Sequence, residues 1–351
     1  MNNKLFTLAI PTYNRSEYLD ICLNRILIAY SKLNNGDKDL IEILVSDNSE
    51  NVLSTEVVNN KKYQILNINY VKNRINIGSD QNLANCYIKS NGVYTSLMGD
   101  DDFVEQDYFQ KILPIIKKQK YSVIFLKYHG YTFSSNEKRQ NTNFKNLVFK
   151  TSKDALLHRN IHISFISGVI FRRDKLNEKE INSGIGSNLV QVNACFNVLK
   201  DINKESIYIS TSLVGAIRNN TGGYNPVKVF FKNYFDLLHR YDNLGLSEKQ
   251  LRKLKNKILL TFYSRNLAQY IRKNNIGLSK EDFEILDQSF KRNVFYKLFI
   301  RKMLQSYSRI NFSLLSIIYI ISNIFYYPSK FFDFLKHTSN MIKHFFIQKN
   351  L

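Results

Sequence analysis

Leu5 to Ile10 is a short apolar run stopped by Pro11, the pattern of a buried strand leaving its sheet. Ser16 is placed to cap a following helix, whose apolar positions Leu19, Cys22, Leu23, Ile26 and Tyr30 keep the helical spacing of three and four. Ile41 to Val45 repeats the strand pattern and ends in Ser46-Asp47-Asn48-Ser49, a cluster of turn formers. Ile65 to Val71 predicts a third strand, Asp80 to Lys89 a short helix, and Tyr94 to Met98 a fourth strand that runs into Asp100-Asp101-Asp102. This alternation predicts an α/β fold with a mainly parallel sheet flanked by helices. Such sheets bind ligands beyond the carboxyl ends of their strands, so the loops of Thr12, Asp47 and Asp100 are expected on one edge.

Further along, Tyr121 to Lys127 reads as a strand, and so does Ser164 to Arg172, with Gly168 in its interior. Asn182 to Ser187 reads as a loop, and Asn219 to Pro226, holding Thr221-Gly222-Gly223, as the clearest flexible one. The helical spacing of Val229, Phe230, Asn233, Tyr234, Leu237 and Leu238 follows. This places a catalytic domain at 1–225 and a helical, basic and aromatic region at 226–351, with no internal repeat.

Composition adds limits. Hydrophobic residues at 44% and aromatics at 13% exclude a disordered chain. Lys and Arg number 50 against 29 Asp and Glu, a net charge of +21, which suits nucleic acid, an anionic membrane or phosphorylated substrates. Cys22, Cys86 and Cys195 lie too far apart for a zinc motif and read as buried free thiols of a reducing compartment. Met1 to Ile10 lacks the features of a signal peptide, and Phe312 to Tyr327 falls short of the roughly 20 residues of a spanning helix. The expected place is the cytoplasm.

Three successive carboxylates after an apolar strand repel one another and need a positive partner. Mg2+ or Mn2+ is the natural candidate, since such ions take one or two carboxylates and complete their shell with phosphates and water. A solvated acidic turn is the competing account. Asp47 stands where a carboxylate accepts from a ribose hydroxyl or base N–H, or else closes an Asx turn through Asn48 and Ser49. Thr12-Tyr13-Asn14-Arg15 precedes a helix N-terminus, where nucleotide groups are commonly held, although capping by Asn14 or Ser16 also explains it.

As a set, Ile10-Pro11-Thr12-Tyr13-Asn14-Arg15, Val45-Ser46-Asp47-Asn48-Ser49, Asn76-Ile77-Gly78 with Asn82, and Gly92-Val93-Tyr94 leading into Leu97-Met98-Gly99-Asp100-Asp101-Asp102 resembles family 2 glycosyltransferases of the GT-A fold. Within that family it is most similar to the abequosyltransferase-like branch that builds bacterial surface polysaccharides. The resemblance spans roughly residues 4 to 110. It implies that Pro11, Thr12, Tyr13 and Arg15 line the base pocket, that Asp47, Asn76 and Asn82 help to hold the nucleotide sugar, and that the acidic triplet supplies the DxD motif. Two registers match that motif, Asp100 with Asp102 as the pair, or Asp101 and Asp102 with Gly99 in place of the usual first acid; on the first, Asp100 and Asp102 meet metal, and Asp100 and Asp101 meet the donor. One departure is Asp80-Gln81-Asn82, where many members read Ala-Arg-Asn; Arg74 is a candidate to supply the missing guanidinium.

The implied reaction moves a sugar from a UDP-, CDP- or GDP-linked donor to a glycan, free or lipid-linked, in capsule, lipopolysaccharide or O-antigen synthesis, with inversion as the expected outcome. Inverting members use a carboxylate base in the second half. Here Asn188 and Gln191 stand where that base is sought and neither can act as one, which leaves Asp201 as a weak candidate and the base unassigned. Arg218 precedes the Gly222-Gly223 loop and reads either as a clamp on the diphosphate or as a surface arginine. His129, His158 and His162 read as structural or exposed.

The stretches Tyr296-Lys297-Leu298-Phe299-Ile300-Arg301-Lys302, Phe331-Phe332-Asp333-Phe334-Leu335-Lys336 and Lys343-His344-Phe345-Phe346 combine aromatics with bases and suit an anionic membrane face. This predicts a peripheral protein on the inner face of the cytoplasmic membrane. Two other classes are weighed against it. A nucleic-acid-binding protein would explain the charge, but no nucleic-acid motif appears and the triplet would repel a phosphate backbone. A nucleotidyltransferase would need a glycine-rich basic loop after the first strand, which Pro11-Thr12-Tyr13-Asn14 is not.

Overall fold

The computed structural model describes residues 4–131, 145–201, 205–217, 223–274, 277–305 and 309–326. The chain forms two compact units: Met1–Tyr224 with Asn233–Gly245, and Asn225–Lys232 with Leu246–Leu351.

The first unit is built on nine strands: β1 Phe6–Thr12, β2 Ile41–Asp47, β3 Asn69–Lys72, β4 Tyr94–Leu97, β5 Phe103–Val104, β6 Tyr121–Tyr131, β7 Leu147–Phe149, β8 Val169–Arg172 and β9 Glu205–Ile217. They form one sheet in the order β3-β2-β1-β4-β8-β6-β9-β5, with β7 also on β9. β3, β2, β1 and β4 pair in parallel, as do β6 and β9, whereas β8, β5 and β7 run against their neighbours. The sheet is therefore mainly parallel, as the β-α alternation of the first hundred residues predicts.

β1 and β2 are buried on both faces and consequently read as continuous apolar runs. Leu8, Ile10, Ile43 and Val45 join one core with Leu19, Leu23 and Ile26 of the helix Ser16–Ser31 and with Phe109, Ile112 and Ile116 of the helix Tyr108–Ile116. The helix Ser79–Lys89 packs on β1 and β2. The sheet end away from the strand tips is closed by Glu42, whose carboxylate accepts from Thr7 Oγ1 at 2.6 Å, Asn69 Nδ2 at 3.0 Å, and both the backbone N (2.9 Å) and Nδ2 (2.6 Å) of Asn91. Burial alone would raise its pKa, but these donors hold it below the ordinary value.

Three expectations change. Lys61–Leu66 is a 3-10 turn that buries Tyr63 and Leu66, Asn67 takes a left-handed φ of 45°, and the strand is only Asn69–Lys72. Gly168 ends a turn ahead of β8 instead of lying inside a strand; a Cβ there would come within 2.8 Å of Phe165 Cδ1. The 13-residue β9 escapes the pattern because Ser206, Ser210 and Ser212 are buried polar positions that break its apolar run.

The second unit is helical. Its helices Glu248–Ile258 and Lys280–Ser289 each begin with a capping box, Ser247 with Gln250 and Ser279 with Asp282. Leu251, Leu254, Ile258, Leu286, Phe290, Tyr296 and Ile300 are buried, and Phe231 stacks on Tyr263 with ring centroids 3.8 Å apart. Arg301 grips Asp287 through Nε and Nη2 at 2.8 to 3.1 Å. Among the described residues, no helix is long and apolar enough to cross a membrane. The tail aromatics from Phe331 onward lie outside the described residues.

Candidate functional site

The β1–β2 register sets Thr12 opposite Asp47, so two of the predicted polar loops leave the sheet side by side. The third joins them through side chains. Thr12 Oγ1 donates to Asp100 Oδ2 at 2.8 Å, and Arg15 Nη1 donates to Asp101 Oδ2 at 2.9 Å and Asp100 Oδ1 at 3.3 Å. Asp102 points elsewhere: Ser167 Oγ donates to its Oδ2 at 2.6 Å, and the backbone N–H of Ile217 to its Oδ1 at 3.2 Å. Ser167 also accepts from the Gly99 backbone N–H at 2.9 Å. A Cβ at Gly99 would lie 3.0 Å from Asp101 Oδ1 and 3.1 Å from Asp102 Oδ2, so the turn packs its backbone against its own carboxylates.

Asp100 and Asp102 are both 5% exposed. Burial lifts Asp100 to about 6, against Thr12 and Arg15, which favour its charged form. Burial lifts Asp102 to about 7, since Ser167 and the Ile217 N–H offset it only in part and Asp101 adds repulsion. Arg15 is held above its ordinary value because Asp100 and Asp101 outweigh its own desolvation. One guanidinium thus serves two carboxylates of the triplet, and Asp102 is held by neutral donors. Each oxygen of Asp100 and Asp102 has one donor, and a carboxylate can accept about four hydrogen bonds in all, so lone pairs remain for a further cation.

Asp47 is in the opposite condition. Its Oδ2 accepts from Tyr70 at 2.7 Å and Lys72 Nζ at 2.8 Å, its Oδ1 from the Ser49 N–H at 2.8 Å, and its side chain is fully enclosed. Burial would raise its pKa, yet Lys72, Ser49 and Tyr70 together hold it below the usual carboxylate range. The Asx turn through Ser49 is therefore present, and Asp47 shapes the loop instead of presenting an oxygen to the surface. Asn48 ties that loop to the next one, donating to Asn76 Oδ1 at 2.7 Å and accepting from Ile77 N and Asn73 Nδ2 at 3.1 Å. Asn82 accepts from Ser46 Oγ at 2.7 Å and donates to the Ser46 carbonyl at 3.2 Å, so both ends of its amide are engaged by the scaffold.

The structure thus gathers Thr12, Arg15, Asp100 and Asp101 around one ion-paired cluster, with Asp102 beside them on Ser167. Pro11 pairs with Ser46 in the β1–β2 register, and Tyr13 is 45% exposed at the strand tip. Asn76 and Arg74 are exposed on the loop after β3. Asp201 is exposed beyond the helix Val190–Leu199, at the end remote from the Gly186–Asn188 turn, roughly 15 Å along the axis at the usual rise. Arg218 lies outside the described residues. Of the positions where a base is sought, Asn188 has φ 54° and Gln191 donates to the Ser164 carbonyl at 2.9 Å. His129 Nδ1 pairs with Ser212 Oγ at 2.9 Å and His162 Nδ1 with the Tyr128 hydroxyl at 2.8 Å, both structural contacts.

Several residues that matter to this geometry give no motif signal: Ser167, Tyr70, Lys72 and Asp80. Lys72 was legible only through register, since its position faces Asp47 across β2 and β3. Asp80, one residue ahead of the Gln81 that stands in the arginine's place, joins two segments of the fold. Its Oδ2 accepts from the backbone N–H groups of Gly186 (2.7 Å) and Asn188 (2.9 Å), which binds the helix Ser79–Lys89 to the loop ahead of the helix Val190–Leu199.

A mainly parallel sheet whose strand tips converge on a buried acidic turn has the architecture of the GT-A fold. Residues 7–178 match the profile described as Glycosyl transferase family 2, and this part of the chain is a domain of that family. Over 109 residues the chain is 37% identical to abequosyltransferase RfbV of Salmonella typhimurium, a stretch that covers 29% of this chain and 30% of that protein. The match thus spans about a third of that relative's length. The crystal structure of S. aureus TarS superposes with a TM-score of 0.57 at 15% identity, over 89% of this chain and 54% of TarS. TarS 1-349 in complex with UDP-GlcNAc gives 0.57 at 14%, over 92% and 91%. At such identities the likeness is one of fold.

Proposed function

We propose that this protein transfers a glycosyl group from a nucleoside-diphosphate sugar to a hydroxyl of a glycan acceptor during synthesis of a bacterial surface polysaccharide. The observation that carries this reading is the junction of Thr12, Arg15 and Asp100, in which two strand-tip loops more than 80 residues apart in sequence close on one buried carboxylate. The Tyr13 and Asn48–Ser49 edge is the wall for the base, with Asp47 fixing its shape. Uridine is the first base to test, because the TarS structure is described with UDP-GlcNAc.

Mg2+ or Mn2+ fits the donor set. Among the described residues no three His, Cys, Asp or Glu side chains form a ready cage. Asp102 and Asp100 would supply two carboxylates, and donor phosphates and water the rest. When bound, the ion offsets charge that develops on the leaving diphosphate. The chain's own residues do the positioning: Ser167 and the Ile217 N–H aim Asp102, Thr12 and Arg15 aim Asp100, and Asp80 holds the Gly186–Asn188 loop. The acceptor reading, a lipid-linked glycan met by a peripheral protein on the inner membrane face, rests on the basic and aromatic second unit.

Thermal stability with Mn2+ plus UDP, CDP or GDP tests the site, repeated on Asp102→Ala. A nucleotide that stabilises only with metal, and only when Asp102 is present, names the donor base. No stabilisation by any of the three at millimolar concentration sinks the proposal.

A further inference from the structure

The second unit contains a cavity of about 270 Å³ that the glycosyltransferase reading does not use. It lies between the helix Glu248–Ile258 and the segment that follows Lys280–Ser289, and Lys249, Arg252, Lys253 and Arg292 line it. No carboxylate is among its lining residues. Lys255 lines it as well, so five like charges surround one hollow, and an anion is the ligand whose charge offsets their repulsion. Asn293 Nδ2 donates to Asn256 Oδ1 at 2.9 Å across the cavity's two walls, while the Asn293 Oδ1 accepts the Tyr296 N–H at 2.9 Å. This fixes the walls and leaves the Asn256 amide NH2 as a neutral donor beside the cations. Guanidinium forks and ammonium groups in this arrangement match phosphate oxygens.

The chain leaves the cavity at Asn293 and immediately exposes apolar side chains: Val294 is 67% exposed, Phe295 40%, Leu298 52% and Phe299 48%. Tyr296 and Ile300, in the same turns, are fully buried and anchor this segment, so the exposed set is held in place and is not a frayed end. A soluble phosphate ester has no use for such a neighbour. A phospholipid does, because its phosphate sits about one headgroup depth from its acyl chains. The whole region 226–351 supports the same sign of partner, with 22 Lys and Arg against 8 Asp and Glu.

We infer that the cavity lined by Lys249, Arg252, Lys253 and Arg292 binds the phosphate of an anionic phospholipid, and that Phe295, Leu298 and Phe299 enter the headgroup layer beside it. This deepens the membrane placement proposed above and rests on that part of it alone, not on the donor site. Co-sedimentation of the full chain with phosphatidylcholine vesicles, with and without 30% phosphatidylglycerol, tests it, as does the double variant Arg252→Gln/Arg292→Gln. A second variant, Phe295→Ser/Phe299→Ser, probes the apolar half. The expected result is capture only by the phosphatidylglycerol vesicles, weakened tenfold or more by either variant, and suppressed by salt. The UDP and Mn2+ thermal shift, read on the same preparations, reports that the variants are folded and that the donor site is intact. Capture of wild type and both variants alike overturns the cavity assignment. Failure of wild type to bind either vesicle overturns the membrane placement with it, and leaves the donor site standing if the UDP shift persists. Loss of vesicle binding upon adding inorganic phosphate at millimolar concentration, with no requirement for Phe295 and Phe299, assigns the cavity to a soluble phosphate ester and also overturns the proposal.

Discussion

Asp47 and the Asp100–Asp102 turn sit at strand tips on either side of β1, and Asp47, Asp100 and Asp102 are buried carboxylates alike, yet the protein treats them in opposite ways. Around Asp47 a lysine, a tyrosine hydroxyl and a backbone N–H complete the carboxylate and depress its pKa. Around the triplet one arginine is shared between two aspartates, Asp102 is held by the Ser167 hydroxyl and the Ile217 N–H, and both buried members are raised. The first arrangement is complete without a ligand and serves architecture. The second carries surplus negative charge in a dry place, a cost that persists only where a bound cation or ligand recovers it. In this site the sign of the shift follows how completely each carboxylate is met by donors and cations.

The sharpest way to break that contrast is to remove one carboxylate from each region. Asp102→Ala is expected to lower the transfer rate by roughly 10²–10³-fold, the scale of losing one preorganised electrostatic contact, and to abolish metal-dependent stabilisation by nucleotide. A mass-spectrometric transfer assay and a thermal melt read both effects. If Asp102→Ala keeps its metal response, the triplet is not the charged centre described here.

Asp47→Asn is expected to act on stability first. It leaves the Lys72 ammonium without its carboxylate and turns an amide N–H toward the Tyr70 or Ser49 donors, for a loss of about 1–3 kcal/mol. Urea unfolding measures it. The nucleotide and metal shift should survive in the fraction that folds, and its complete loss would mean that Asp47 touches the donor after all.

Much of this contrast was legible in the chain and part was not. The apolar runs ending in Thr12, Asp47 and Asp100 predict strands with polar tips, and a parallel order then forces those tips onto one edge, so the acidic turn and its neighbours could be named as a set. What could not be read was which carboxylate is satisfied. The partners that decide it, Ser167, Tyr70, Lys72 and the Ile217 N–H, come from other strands and from a turn, at separations of 23 to 115 residues. Local spacing carries no trace of them. The same limit hid β9, whose buried serines resemble loop chemistry, and the tie between Asp80 and the Gly186–Asn188 loop, 106 and 108 residues away.

pH offers a smaller but signed test, made on chelated protein without nucleotide. Asp100 and Asp102 have folded values above the ordinary carboxylate value, so the folded state holds protons that the unfolded chain has released, and their stabilising contribution is lost as pH rises through about 6 to 7. For Asp47 the folded value is depressed, and its contribution is lost only as pH falls below the ordinary value. Of these carboxylates, Asp100 and Asp102 change between pH 5 and pH 8 and Asp47 does not. Asp102→Asn should therefore shrink the difference in melting temperature between those two pH values by about 2–4 °C, the shift that roughly 1 kcal/mol produces in a domain of this size. An unchanged difference would show that Asp102 is ionised across the whole interval.

The mildest perturbation removes one hydroxyl from the satisfied side. Tyr70→Phe takes away a donor to Asp47 Oδ2, while Lys72 at 2.8 Å still serves that oxygen and the Ser49 N–H still serves the other. The same hydroxyl pairs with Thr55 Oγ1 at 2.8 Å, and the ring keeps its place, so the expected cost is that of two partly exposed hydrogen bonds, about 1–2 kcal/mol, with metal and nucleotide responses unaltered. Ser167→Ala is the matching change on the other side: it also removes one hydroxyl, but it leaves Asp102 held by the Ile217 N–H. If the two carboxylates differ as described, the serine variant alone changes the metal concentration needed for nucleotide to stabilise the protein. An equal metal response in both variants would show that hydrogen bonding to Asp102 does not tune the triplet, and the distinction would then rest on Lys72 against Arg15: one cation wholly committed to one carboxylate, the other divided between two.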